Sequence, residues 1–151
     1  MNWYSVVSQD ITKVPDAIAH YQSELLIAKK ECKLTGSIEK ASASLPGIVE
    51  HRFNQLQELE AILELLNIEM KYLKNTHFRK YLENYNRSLS SRDCEKFAEG
   101  ELDVVEFSRM INEFALVRNQ YLGVSKALET KQWQVTNLVR LKCAGLDDAG
   151  V

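Results

Sequence analysis

The chain has 151 residues, 45% of them hydrophobic and 26% charged, with a formal net charge of −2. That length suits one domain and hardly two, and the apolar fraction supports a buried core. The charge excludes a uniformly basic, histone-like binder of polyanions, though not a local basic face.

Six Gly and two Pro are too few for a turn-rich β-sandwich or barrel. The three Cys, at 32, 94 and 143, have no CxxC spacing. They read as reduced thiols of a cytoplasmic protein rather than as disulfides or zinc ligands. No basic segment leads into an apolar one, and no apolar run approaches about 18 residues, so neither a leader nor a membrane span is expected.

In chain order, the spacing predicts a helix over 1–33 with a modest apolar face of Val14, Ile18, Tyr21 and Leu25. Asp10 or Thr12 is its candidate cap, and Pro15 suits its first turn. A break follows at Leu34-Thr35-Gly36-Ser37. Residues 38–44 read as a helical turn or a linker, and Pro46-Gly47 as the next boundary.

From Ile48 to about Asn86 there is neither Pro nor Gly. Val49, Arg52, Leu56, Leu59, Leu63, Leu66, Met70 and Leu73 recur at alternating steps of three and four, and seven of these eight are apolar. This is a heptad seam, which needs a partner within the chain or in another copy. Ser88-Leu89-Ser90-Ser91 forms the clearest break, followed by a short helix over 94–98 that Asp93 caps and Gly100 ends.

A second seam runs from Leu102 to Cys143 through Phe107, Met110, Phe114, Val117, Tyr121, Val124, Leu128, Lys131, Val135 and Leu138. Gly123 interrupts it and suggests a kink or a close helix approach. The expected fold class is all-α: two long antiparallel amphipathic helices and a shorter N-terminal helix, with coiled-coil-like seams. The expected organisation is an N-terminal extension over 1–33, a helical core over 34–145 and a flexible tail over 146–151.

Charge is segregated along the chain. Residues 48–70 hold five Glu and one Arg, a net of −4, and residues 71–92 a net of +5. Residues 93–113 fall to −5, and residues 117–142 return to +4. In a structural reading the blocks face each other across helices or subunits and set register. In a functional reading the basic end of the first long helix binds a polyanion. There Lys71, Lys74, Arg79 and Lys80 alternate with Tyr72, His77, Phe78, Tyr81 and Tyr85. Cations that track phosphates beside aromatics that stack bases are what sequence-tolerant single-strand binding needs. Aromatics at helical spacing are more often core, so the structural reading leads on sequence alone.

Catalytic chemistry is missing. His20, His51 and His77 lie far apart, and there is no HExxH, ExxH, Walker A or GxGxxG. No catalytic residue, metal or cofactor is expected. Cys94, between Arg92 and Lys96, reads as an ordinary thiol that is solvent-facing or half-buried.

The second half resembles the phage UvsY-like recombination mediator family. The likeness runs from Asp103-Val104 through Gly123 to Ala127-Leu128-Glu129-Thr130-Lys131-Gln132-Trp133-Gln134-Val135. It takes in Leu73-Lys74 and the stretch from Ala41 to Phe53 with Pro46, and spans about residues 31–145. The chain departs from the family where an Arg two positions after the Lys is replaced by Thr76; the next cation is Arg79.

The resemblance implies an all-helical, non-catalytic homo-oligomer that binds single-stranded DNA. Such a protein helps a RecA-like recombinase displace a single-strand binding protein. On that reading Lys71, Lys74, Arg79 and Lys80 contact phosphates and Phe78 is a stacking partner, with Lys131 and Trp133 a second candidate pair. The alternative is a structural or adaptor coiled-coil oligomer that does not bind nucleic acid.

Overall fold

The computed structural model describes residues 1–84 and 89–146. It is an all-α fold. Helix α1 spans Trp3–Gln9, α2 Val14–Glu31, α3 Ile38–Asn84, α4 Ser91–Glu99 and α5 Leu102–Cys143, with a 3-10 turn at Ile11–Lys13 between the first two. At 1.5 Å per residue α3 is about 70 Å long and α5 about 63 Å.

The N-terminal segment is not one helix. Asp10 adopts an extended conformation, ends α1 and accepts hydrogen bonds from the Thr12 backbone and hydroxyl. A side chain that caps so well locally competes with helix continuation. Pro15 sits in the first turn of α2, as expected, because an N–H is dispensable there. Gly36 has φ +76, a left-handed conformation that closes the connection to α3 and that other residues rarely adopt.

Pro46-Gly47 is not a boundary. Helix α3 runs through both, from Ile38 onward. Ala41 and Leu45 are buried on one side of the proline and Leu56 and Leu59 on the other, so packing holds the helix across the lost hydrogen bond. Gly123 does not break α5, and no neighbour closes on it: a Cβ there would meet nothing within 4 Å. Helix α4 begins earlier than expected. Ser90 rather than Asp93 is its N-cap, accepting from the Asp93 backbone N–H, and Gly100 follows its last turn.

Helices α3 and α5 are antiparallel. Leu45 and Val49 lie by Gln132 and Val135, Glu60 reaches Arg118, and His77 reaches Asp103. Along this axis Leu56, Leu59, Leu63 and Leu66 meet Phe114, Val117, Tyr121, Val124 and Leu128 in one buried cluster. Each fully buried aliphatic side chain contributes about 1.5–3 kcal/mol. Val49 of the expected seam is exposed instead, and Leu45 and Ile62 join the core.

The first 33 residues belong to that same cluster through Val7, Val14, Ala17, Ile18, Tyr21, Leu25 and Ala28. Helix α2 runs parallel to α5: the Tyr121 hydroxyl donates to the Tyr21 carbonyl at 3.2 Å, and Lys131 Nζ donates to the Glu31 carbonyl at 2.7 Å. The Tyr21 and Tyr121 rings meet edge to face. Arg52, only 2% exposed, joins α3 to α2. It donates to both oxygens of Glu31 at 2.8 Å, to Glu24 at 2.8 Å and to Gln55 at 2.8 Å.

Two stability predictions follow from these contacts. Pro46→Ala restores a helical hydrogen bond on an exposed position and should stabilise the chain by about 2 kcal/mol, part of the ~3 kcal/mol interior cost being offset by the stiffer unfolded chain. A fall in the urea midpoint would show that the proline shapes a bend the packing needs.

Arg52→Met should cost about 3 kcal/mol by leaving two carboxylates facing each other, and Arg52→Met with Glu24→Gln and Glu31→Gln should recover most of it. Hydrogen bonds from Arg52 and then Gln55 hold the Glu24 carboxyl below its ordinary value of 4.5. The clasp is therefore fully present above that value and weakens as pH falls through the lowered one. Urea unfolding at neutral pH and at about pH 3 should show a smaller acid loss in the Arg52→Met chain than in the parent.

Candidate nucleic-acid interface

The basic block lies on the last four turns of α3, beyond the reach of α2. Its inner side is packed against α4 and the start of α5. Because a helix turns 100° per residue, residues 70, 74, 77 and 81 share that inner side, and 72, 75, 79 and 83 the opposite one. Met70 is buried, and Lys74, His77, Phe78 and Tyr81 are half-buried. Lys71, Tyr72, Asn75, Thr76, Arg79 and Lys80 are exposed.

The structure thus divides the five residues singled out from sequence. Lys71, Arg79 and Lys80 face solvent, and among the described residues no carboxylate comes within ion-pair distance of them. Lys74 reaches back to Glu99 of α4 at 4.0 Å. Phe78 is half-buried, so its ring is not a free stacking platform in this conformation.

The aromatic that does stand among the exposed cations is Tyr72, 73% exposed. With Asn75, Thr76, Arg79, Lys80, Glu83 and Asn84 it lines an open depression of about 500 Å³. Thr76 spends its hydroxyl on the Tyr72 carbonyl at 3.0 Å. Tyr85 and Arg87, counted in the basic block from sequence, lie outside the described residues, as does the tail from 147 onward.

The second candidate pair separates completely. Lys131 is buried, and its ammonium closes the α2–α5 contact. Trp133 is 67% exposed, with its ring turned to solvent. A cation used inside the fold is not available to a phosphate. Lys131 is a helix-packing residue.

The acidic and basic blocks do face each other inside the chain. Glu60 pairs with Arg118, Lys74 with Glu99, and His77 with Asp103. The inward side of each block is used for register while the outward side of 71–80 keeps its charge. Cys94 is fully buried in α4 rather than solvent-facing or half-buried.

One grouping escaped the sequence reading. His77 Nε2 lies 2.8 Å from Asp103 Oδ2, and Nδ1 lies 3.9 Å from Glu101 Oε1. The Tyr81 hydroxyl donates to that same Glu101 oxygen. His77 and Tyr81 precede Glu101 and Asp103 by 20 residues or more, so only the α3–α5 register brings the two pairs together. Asp103 is held below the ordinary carboxylate range, chiefly by the hydrogen bond from His77.

Among the described residues, no helix is long and apolar enough to cross a membrane. Comparison with known proteins adds no name to this geometry: no family model, no curated protein and no solved structure matches the chain.

Proposed function

We propose that this protein is a non-catalytic, single-stranded DNA-binding recombination mediator. It works as a homo-oligomer to help a RecA-like recombinase replace a single-strand binding protein. The observation that carries the reading is the outward face of α3, where Lys71, Arg79 and Lys80 are exposed around Tyr72. Flexible cations beside an exposed ring suit a polyanion whose bases are unstacked and accessible. The resemblance to UvsY-like mediators in the stretches around Leu73-Lys74 and from Asp103 to Val135 supports the same function.

The other reading is a structural or adaptor coiled-coil oligomer. What favours it is the pairing of acidic with basic blocks across α3, α4 and α5, which gives the charge pattern a purpose without any ligand.

Affinity for an oligothymidylate, followed by fluorescence anisotropy over a salt series, separates the two. A mediator should prefer single strands, with affinity that falls steeply as salt rises. Replacing Lys71, Arg79 and Lys80 together by Ala should flatten the log–log salt slope by about 2, at about 0.7 per phosphate contact on a single strand. Tyr72→Ala should cost about 1–3 kcal/mol through lost stacking. Lys74→Ala should cost less than any of the three outward cations, because its ammonium is already engaged by Glu99. Absence of binding at low salt from folded, assembled protein would remove the nucleic-acid reading and leave the adaptor.

A further inference from the structure

The cluster at the junction of α3 and α5 lies apart from the outward basic face and has no place in the proposed function. One nitrogen of His77 and one oxygen each of Glu101 and Asp103 lie within 4.8 Å of one another. Three ligands of a four-coordinate zinc at about 2.0–2.1 Å sit roughly 3.4 Å apart, so closing the set on Nδ1, beside Glu101, requires Asp103 to rotate away from its present hydrogen bond with Nε2. The two carboxylates come from the N-cap residue and the first turn of α5, and the imidazole from the penultimate turns of α3.

We propose that His77, Glu101 and Asp103 bind one divalent transition-metal ion of the zinc class.

Three features support it beyond proximity. The side chain of His77 is 16% exposed, and its Nδ1 is buried with no hydrogen-bond partner. An imidazole nitrogen withdrawn from water and left unpaired is costly unless something occupies it. Next, two carboxylates flank one imidazole, so at neutral pH the cluster carries net negative charge that a divalent cation offsets. Finally, Tyr81 holds Glu101 by a hydrogen bond and the Val104 N–H holds Asp103 at 2.8 Å, which orients both carboxylates from behind.

The positive end of α5 opposes a cation here. Its effect is about half an elementary charge, against two full carboxylate charges. One imidazole with two carboxylates suits zinc and neighbouring first-row ions, since calcium and magnesium favour all-oxygen ligand sets. With three protein ligands the fourth position is left to water, and ion binding would tie the end of α3 to the start of α5.

The test is titration of the full chain with zinc chloride, read by calorimetry and thermal unfolding, and with cobalt chloride, read by the visible band of tetrahedral cobalt. One ion per chain and a higher unfolding temperature are expected. His77→Gln, which keeps the donor to Asp103, should abolish the cobalt band and weaken zinc at least tenfold. Asp103→Asn and Glu101→Gln should each do the same, so the test does not depend on any one variant folding.

Cys143→Ser should leave binding unchanged, which separates this site from capture by the exposed thiol. No binding to chain that remains helical, binding that survives His77→Gln, or binding lost with Cys143→Ser would each overturn the assignment.

Discussion

The rest of the molecule depends on a single buried guanidinium. Arg52 occupies a heptad position in the seam of α3, where an apolar side chain would pack without a desolvation cost. Instead it holds Glu31 with two parallel hydrogen bonds and Glu24 with a third. Lys131, the one non-apolar position in the seam of α5, meets the same residue through the Glu31 carbonyl. The two exceptions in two hydrophobic patterns thus converge on the C-terminal turn of α2. A buried pair of this kind is weak evidence for net stability but a strong constraint on register, because a shift by one turn strands a charge in the core.

Register set in the middle of the bundle propagates along stiff helices to its end. With α3 and α5 fixed by Arg52, Lys131 and the leucine layers, His77 must fall across from Asp103, and Lys74 across from α4. The outward direction of Lys71, Tyr72, Arg79 and Lys80 is then a consequence and not an independent choice. The inward pairs near that end each have a largely exposed carboxylate, Glu99 or Asp103, and add little each, about 0–1 kcal/mol. Their importance is positional: they draw the acids of α4 and α5 to the inner side and leave the outer side basic.

The helices and their apolar faces were legible because a period near 3.6 leaves a repeated trace in composition. The breaks at Leu34–Ser37 and near Ser90 were legible for a similar reason, since glycine and serine runs have local effects. Pro46 misled because its cost is local while the packing of Ala41, Leu45 and Leu56 that outweighs it is not. Asp10 misled in the opposite sense: a short-range cap outcompeted a weak helical pattern. Lys131 and Phe78 show the limit for the site. Heptad spacing names the residues of a face but not how far a neighbour covers it, so one cation turned out buried and one aromatic half-buried, while Tyr72 emerged as the exposed ring. The His77 cluster had no sequence trace because its members meet only across the α3–α5 pairing.

The size of the basic face bears on what a mediator would need. From Lys71 to Lys80 is nine residues, about 13–14 Å along the helix axis. That length matches no more than about four phosphates even at the close spacing of about 3.4 Å in one strand of a duplex. Three free cations and one ring give a single chain only modest, strongly salt-dependent affinity. A long single strand held by several copies gains instead from effective concentration, which raises avidity by about 10²–10⁴ without new contacts. The DNA-binding reading and the homo-oligomer are therefore one claim. Phe53 and Ile68 of α3 and Leu116 and Trp133 of α5 are among the exposed apolar side chains on which such an assembly can draw. A chain that remained a monomer at the concentrations where it binds DNA would need a different source of affinity than the face of α3 provides.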